Sequence, residues 1–365
     1  SNTLTVLEIA VINSIFKLEV KMISFKNDYS EGAHPRILQA MLETNFKQET
    51  GYGEDSFSQE AKELIKQKLG NDTVDIHFLT GGTQTNLVAI SAFLRPHEAA
   101  IAAQTGHIFV HETGAIEATG HKVLTVNVTD GKLTPAKVQE VLDIHTDEHM
   151  VKPKLVYISN TTEVGTVYTK TELEDLSRFC REKGLYLFMD GARLGSALCS
   201  AGNDLELSDL PGLLDAFYIG GTKNGALLGE ALVISNESLK TDFRYHMKQK
   251  GALLAKGRVI GIQFRELFRE DLFYTCALHA NKMAYKLRDG LKEAGVNFIS
   301  ESNSNQIFPV VSNSLLKELQ KKYSFEIWAK PDEEHTVIRF VTSWATHEQD
   351  VDALIKDIQE LLEKD

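Results

Sequence analysis

Cysteine is scarce in this chain. Cys180, Cys199 and Cys276 are spread over 365 residues, and none stands in a C-x-x-C pair. That excludes a disulfide framework and a zinc ribbon, and it suits a reducing compartment. An excess of positive charge is also missing, the formal net charge being -12. Nucleic-acid and anionic-membrane surfaces need clustered Lys and Arg, so neither partner is expected. No apolar run is fit to span a bilayer: Leu4 to Val20 is interrupted by Glu8, Asn13, Lys17 and Glu19. The same stretch has no basic leader of the secretory kind. A cytoplasmic location is the expectation. There is no internal repeat and no low-complexity segment.

What is present is an ordinary globular composition, 42% hydrophobic and 25% charged. The length suits one large domain with a smaller companion. Residues 1–21 read as an N-terminal extension, with Leu4, Leu7, Val11, Ile15 and Leu18 at helical spacing. Residues 22–270 read as the large domain and 271–365 as the small one. Between Val74 and Ile234, apolar runs of strand length alternate with helical patterns. This predicts an α/β fold, a mostly parallel sheet flanked by helices. A long helical stretch is expected from Gly261 to Glu293. After it, short strands near Asn305–Val311, Glu326–Lys330 and Thr336–Thr342 and a closing helix from His347 predict a small C-terminal α/β domain.

Two strands end on a charge. Leu185 to Met189 runs into Asp190, and Phe217 to Gly221 runs through Thr222 into Lys223. In an open parallel sheet, ligands gather at the carboxyl ends of the strands, so both residues are expected in one crevice. A lysine facing a carboxylate there suits pyridoxal 5'-phosphate, the lysine holding the aldehyde and the carboxylate the ring nitrogen. A buried structural ion pair is the plain alternative.

Other residues bear on that choice. Val74 to Leu79 is a strand, Gly81-Gly82 breaks it, and a helix begins near Thr83. Bare amides at such a start can cradle a phosphate, although glycines there also serve packing alone. His107 and His111 stand four apart, as metal ligands can, but no further ligand cluster is nearby, and no metal is expected. A histidine lying on a cofactor plane, or a partly buried polar histidine, are the remaining readings of His107. Arg339 lies inside the apolar run Val337 to Val341, where a charge is rarely left unpaired. It reads either as a carboxylate-binding arginine in the domain cleft or as a domain–domain salt bridge. The basic segment from Leu239 to Lys256 reads as a solvated face or as one reaching another subunit's ligand.

Tyr52-Gly53-Glu54-Asp55, Gly82-Thr83-Gln84, His107-Ile108-Phe109, Asp190-Gly191-Ala192-Arg193, Thr222-Lys223 and Ile338-Arg339-Phe340-Val341-Thr342, in this order, resemble the low-specificity L-threonine aldolases. These belong to the aromatic amino-acid beta-eliminating lyase group of fold-type I pyridoxal-phosphate enzymes. The resemblance runs from Met22 to the C-terminus. It implies that Lys223 carries the cofactor, Asp190 pairs with the ring nitrogen, Arg193 approaches the phenolic oxygen and His107 stacks on the ring. Gly82 and Thr83 would hold the phosphate, with Arg258 reaching the phosphate of a neighbouring subunit. Arg339 would bind the substrate carboxylate, helped by Asn27 or Ser30, and His149 would lie near the substrate hydroxyl. His107 or His149 would be the base. The reaction implied is retro-aldol cleavage of L-threonine or L-allo-threonine to glycine and an aldehyde, in a homotetramer or homodimer with shared sites. β-Elimination, transamination and a catalytically silent cofactor-binding protein are the alternatives. The chain departs from the common pattern at Lys26-Asn27-Asp28, at Ser159-Asn160-Thr161-Thr162 and at His111.

Overall fold

A computed structural model describes residues 22–363. The expected amphipathic helix near Leu4 to Leu18 lies outside them. The large domain is built on a seven-stranded sheet. Its strands are β1 (Asp75–Leu79), β2 (Glu98–Ala103), β3 (Val123–Val126), β4 (Lys152–Ser159), β5 (Tyr186–Asp190), β6 (Ala216–Gly220) and β7 (Glu230–Ile234). They lie in the order β1-β7-β6-β5-β4-β2-β3.

The strands from β3 to β6 in that order are all parallel, and β7 runs antiparallel to both β1 and β6. The reason is covalent reach. The link 221–229 is too short for a parallel crossover, which needs about a dozen residues or more. β2 carries no sequence alternation because all six of its residues are buried. A strand covered by helices on both faces has no polar side to reveal it.

Helices cover both faces, and their ends follow local chemistry. The helix Lys170–Lys183 starts with a capping box between Thr169 and Glu172. It stops at Gly184 in the left-handed region, φ 65°. The helical stretch expected from Gly261 to Glu293 is two helices, Arg258–Phe268 and Leu272–Glu293. Glu270 and Asp271, both at φ 56°, turn the chain between them. The second helix straddles the domain boundary. Phe273 and Cys276 belong to the large-domain core, and Met283, Leu287 and Leu291 to the small-domain core.

The small domain places β12 (His335–Val341) between antiparallel neighbours, β8 to β11 being Asn297–Phe298, Gln306–Ile307, Pro309–Ser312 and Glu326–Ala329. Helix Glu348–Leu362 packs Val351, Leu354 and Ile358 into this core. The first described residues pack here too. Ile23–Ser24 pairs in parallel with Tyr323–Ser324, and Phe25 is buried against Phe340. The chain then crosses to the large domain through Asn27 and Asp28. No described helix is long and apolar enough to cross a membrane.

His77 lies in the middle of β1 with its ring 4.8 Å from that of Phe243 and its Nε2 buried without a partner. Burial, with the charges of Lys62 and Arg244, pushes its pKa down to about 3. The unfolded chain binds a proton at about pH 6.5, so its stabilising share is complete above that pH. It is lost as pH falls toward 3. The thermal midpoint is therefore expected to fall between pH 7 and pH 5, and to fall less in His77→Leu. An equal fall in both proteins contradicts this reading.

Candidate active site

The carboxyl ends of β1, β4, β5 and β6 meet on one side of the sheet, and the chain leaving each of them carries a polar group. Asp190 ends β5 and is 4% exposed. Its Oδ2 accepts from the Tyr157 hydroxyl at 2.5 Å and from Asn86 Nδ2 at 3.2 Å, and its Oδ1 accepts from the Ala192 amide at 3.0 Å. Burial alone would raise its pKa, but the charge of His107 and these bonds hold it below the ordinary value. The residue is a charged acceptor inside the protein. An ionised carboxylate in so buried a place favours a cationic N–H donor beside it.

His107 opens the short helix His107–Val110. Its Nδ1 is 2.7 Å from Glu112 Oε1, which also accepts from Asn86 Nδ2 at 2.8 Å. Asn86 thus ties the His107–Glu112 pair to Asp190. Burial works against charge on the imidazole, but the Glu112 bond and the Asp190 charge raise its pKa overall. The His111 ring lies 5.6 Å from that of His107. Among the described residues no group of three His, Cys, Asp or Glu is placed to hold a metal.

Lys223 follows β6 through Gly221 and Thr222. Its pKa is lowered by burial and by the Arg193 charge, against the opposing pull of Asp28, Glu163 and Asp190. A lowered lysine is neutral more often, and only the neutral amine is a nucleophile. Beneath it, buried Glu230 accepts the Gly221 amide and the Thr222 hydroxyl, both at 3.1 Å. Burial pushes that carboxyl up to about 8.

β1 leads through Thr80 and Gly81 to the helix Gly82–Phe93. No side chain caps this helix, so its first amides point outward as donors for an anion. Gln84 accepts from both the amide and the hydroxyl of Thr80 and fixes the turn. A Cβ at Gly82 would stand 3.0 Å from the Tyr218 hydroxyl.

The small domain supplies Arg339. Its Nη1 donates to Gln306 at 3.3 Å and its guanidinium lies 5.3 Å from the centre of the Trp328 ring, while Nε is buried with no partner. Burial and the charge of Arg193 lower its pKa. Both facts describe a cation without a paired anion. Among the described residues Arg339 forms no ion pair, so the domain–domain salt bridge is not made. Arg193 is different. Its Nε and Nη2 hold Asp28 at 2.7 and 3.1 Å, and Asn305 Nδ2 adds 2.9 Å to the same carboxylate. Burial raises and Arg193 lowers the Asp28 pKa, and the lowering prevails.

The remaining candidates lie apart. Asn27 Oδ1 accepts from the Tyr29 amide and the Ser30 hydroxyl, so both are engaged in a local turn beside Asp28. Arg258 donates to the carbonyls of Thr44 and Lys47 and lies over Phe57, within its own chain. His149 is not brought to the cluster. It is exposed on the loop entering β4, the end of that strand opposite Ser159. An eight-residue strand, about 3.3 Å per residue, stands between. Sequence reasoning missed Asn86, Glu112, Tyr157, Glu230 and Asn305 as parts of the site, and it gave Asp28 no partner. Glu112, five residues after His107, is the one with a local signal.

Asp28 joins three parts of the chain, so removing its charge leaves Arg193 buried and unpaired. Such a loss costs about 3–5 kcal/mol. Asp28→Asn is expected to show that loss in urea unfolding, and a midpoint equal to the parent's contradicts it.

A family model described as beta-eliminating lyase matches residues 26–314. A low specificity L-threonine aldolase of Pseudomonas aeruginosa is 33% identical over 344 residues, covering 92% of this chain and 96% of that protein. One from a Pseudomonas species is 34% identical over 348 residues, covering 93% and 97%. Among solved structures, a Leishmania major threonine aldolase superposes with TM-score 0.92 at 50% identity, over 93% of this chain and 99% of that one. A Thermus thermophilus aspartate aminotransferase, 15% identical with TM-score 0.70 over 99% and 97%, shares the fold-type I architecture. The chain belongs to the beta-eliminating lyase family.

Proposed function

We propose that the protein is a pyridoxal-phosphate-dependent lyase that cleaves L-threonine or L-allo-threonine between Cα and Cβ, giving glycine and acetaldehyde. The observation that carries the cofactor is Asp190, buried and charged at the end of β5, a partner suited to a cationic ring nitrogen. The open amides at Gly82 and Thr83 suit the phosphate, Lys223 the aldehyde and His107 the ring face. The substrate reading rests on the named relatives.

When bound, the cofactor supplies a sink for the electron pair left on Cα. The chain's residues do the rest. Asp190 keeps a positive partner protonated in a buried place. Lys223, its amine favoured as neutral, is the nucleophile. Arg339 offers Nε and a planar fork to the substrate carboxylate, and a bidentate pair there sets the orientation at Cα. Arg193, fixed by Asp28, adds a second positive charge beside it. Gln306 and Trp328 hold Arg339 in place.

We further infer a cytoplasmic homodimer or homotetramer with shared sites. Leu42 and Phe46 are 71% and 95% exposed, close to Arg258, and a second copy would cover them. Arg258 then belongs to a face that reaches a neighbour's site.

With pyridoxal phosphate, the protein is expected to be yellow and to release acetaldehyde and glycine from L-threonine, with Lys223→Ala falling to background. Ammonia and a keto acid in place of these products would establish elimination instead. A colourless protein without turnover contradicts the proposal.

A further inference from the structure

Cleavage of a β-hydroxy amino acid needs a group that takes the hydroxyl proton, and neither expected histidine is suited to it. His149 stands on the far side of its own chain's sheet. His107 has its Nδ1 engaged by Glu112, and the surrounding carboxylates favour its protonated form. The site contains another carboxylate.

Glu163 leaves the carboxyl end of β4, four residues after Ser159, whose register partner is Asp190. It sits in a turn that is fixed from several sides. The Thr162 amide donates to the Thr166 carbonyl at 2.9 Å, the Gly165 amide to the Thr162 carbonyl at 3.0 Å, and the two threonine hydroxyls are 2.6 Å apart. Gly165 has φ 83°, and a Cβ there would stand 2.3 Å from Ser302 Oγ. Ser302 donates to the Gly165 carbonyl at 3.2 Å, so the small domain clamps the turn against the cleft. The other carboxylates close to the cluster are engaged: Asp28 by Arg193, Asp190 by Tyr157, Glu112 by His107, Glu230 by Thr222 and Glu326 by Lys26. Glu163 has no hydrogen bond or ion pair among the described residues, and its side chain is only partly exposed. Its charge acts on His107, Arg193, Lys223 and Arg339, the basic groups that surround the substrate position.

We propose that Glu163 is a catalytic residue that faces the substrate's β-hydroxyl and accepts its proton, and this rests on the aldol-cleavage reading above. As the O–H bond breaks, the proton passes to the Glu163 carboxylate. The oxygen pair forms the aldehyde C=O, the Cα–Cβ bond breaks, and its pair stays with Cα, which afterwards takes a proton to give glycine. Glu163 thereby favours substrates with a hydroxyl at Cβ over those without one.

The test compares the cofactor-loaded parent with Glu163→Gln and Glu163→Asp. Proton transfer by a positioned side chain contributes about 100- to 10,000-fold. Threonine cleavage in Glu163→Gln is expected to fall at least about 100-fold in kcat, with partial return in Glu163→Asp. Glycine has no hydroxyl, so its calorimetric affinity and the solvent exchange of its α-hydrogen should be unchanged. Cleavage by Glu163→Gln within about threefold of the parent overturns the proposal. So does a matching loss of glycine binding, which would make the residue structural. A parent that binds glycine but never cleaves threonine fails at the proposed function instead.

Discussion

A negative charge held inside the protein is the constraint on which the rest depends. Asp190 sits at the end of a central strand where burial opposes ionisation. It stays charged because Tyr157, Asn86 and the Ala192 amide donate to it and because His107 stands near. Each donor comes from a different element, so the sheet order and the helix after Gly82 are both needed to assemble them. A buried carboxylate of this kind is costly unless it is paired. Its placement therefore favours a cation beside it.

The second constraint is the balance of charge around Lys223. Burial and Arg193 push the amine toward neutrality, while Asp28, Glu163 and Asp190 pull it back. Arg193 and Arg339 come from different domains and oppose each other, and only Arg193 has an internal anion. Arg339 keeps the free capacity a substrate carboxylate needs. Asp28 is the joint of this arrangement, since it lies where the chain crosses from the small-domain core to the large one and receives Asn305 from the small domain.

Much of the frame was legible in the sequence. Asp190 and Lys223 were visible because a lone charge closing an apolar strand has few places to go. Arg339 was visible because it interrupts an apolar run. The small domain followed from a change in element length. What stayed hidden has common causes. β2 gives no alternation because both of its faces are covered. β7 reverses because of a loop length that periodicity does not weigh. Asn86, Glu112, Glu230 and Asn305 are polar residues brought together by the sheet order, and no spacing along the chain announces them. Asp28 and Arg193 are 165 residues apart, so their pairing exists only in three dimensions. The low-specificity aldolase resemblance put His149 near the substrate hydroxyl, whereas in its own chain that residue stands on the loop entering β4, away from the cluster.

The account turns on Lys223 being the residue that holds the cofactor while Asp190 faces it. The most direct measurement is borohydride reduction of the pyridoxal-phosphate-loaded protein, followed by peptide mass mapping. A pyridoxyl-phosphate mass on the peptide that contains Lys223, and on no other lysine, is the predicted result. The same mass on a different lysine, or none after reduction of a loaded sample, would contradict it.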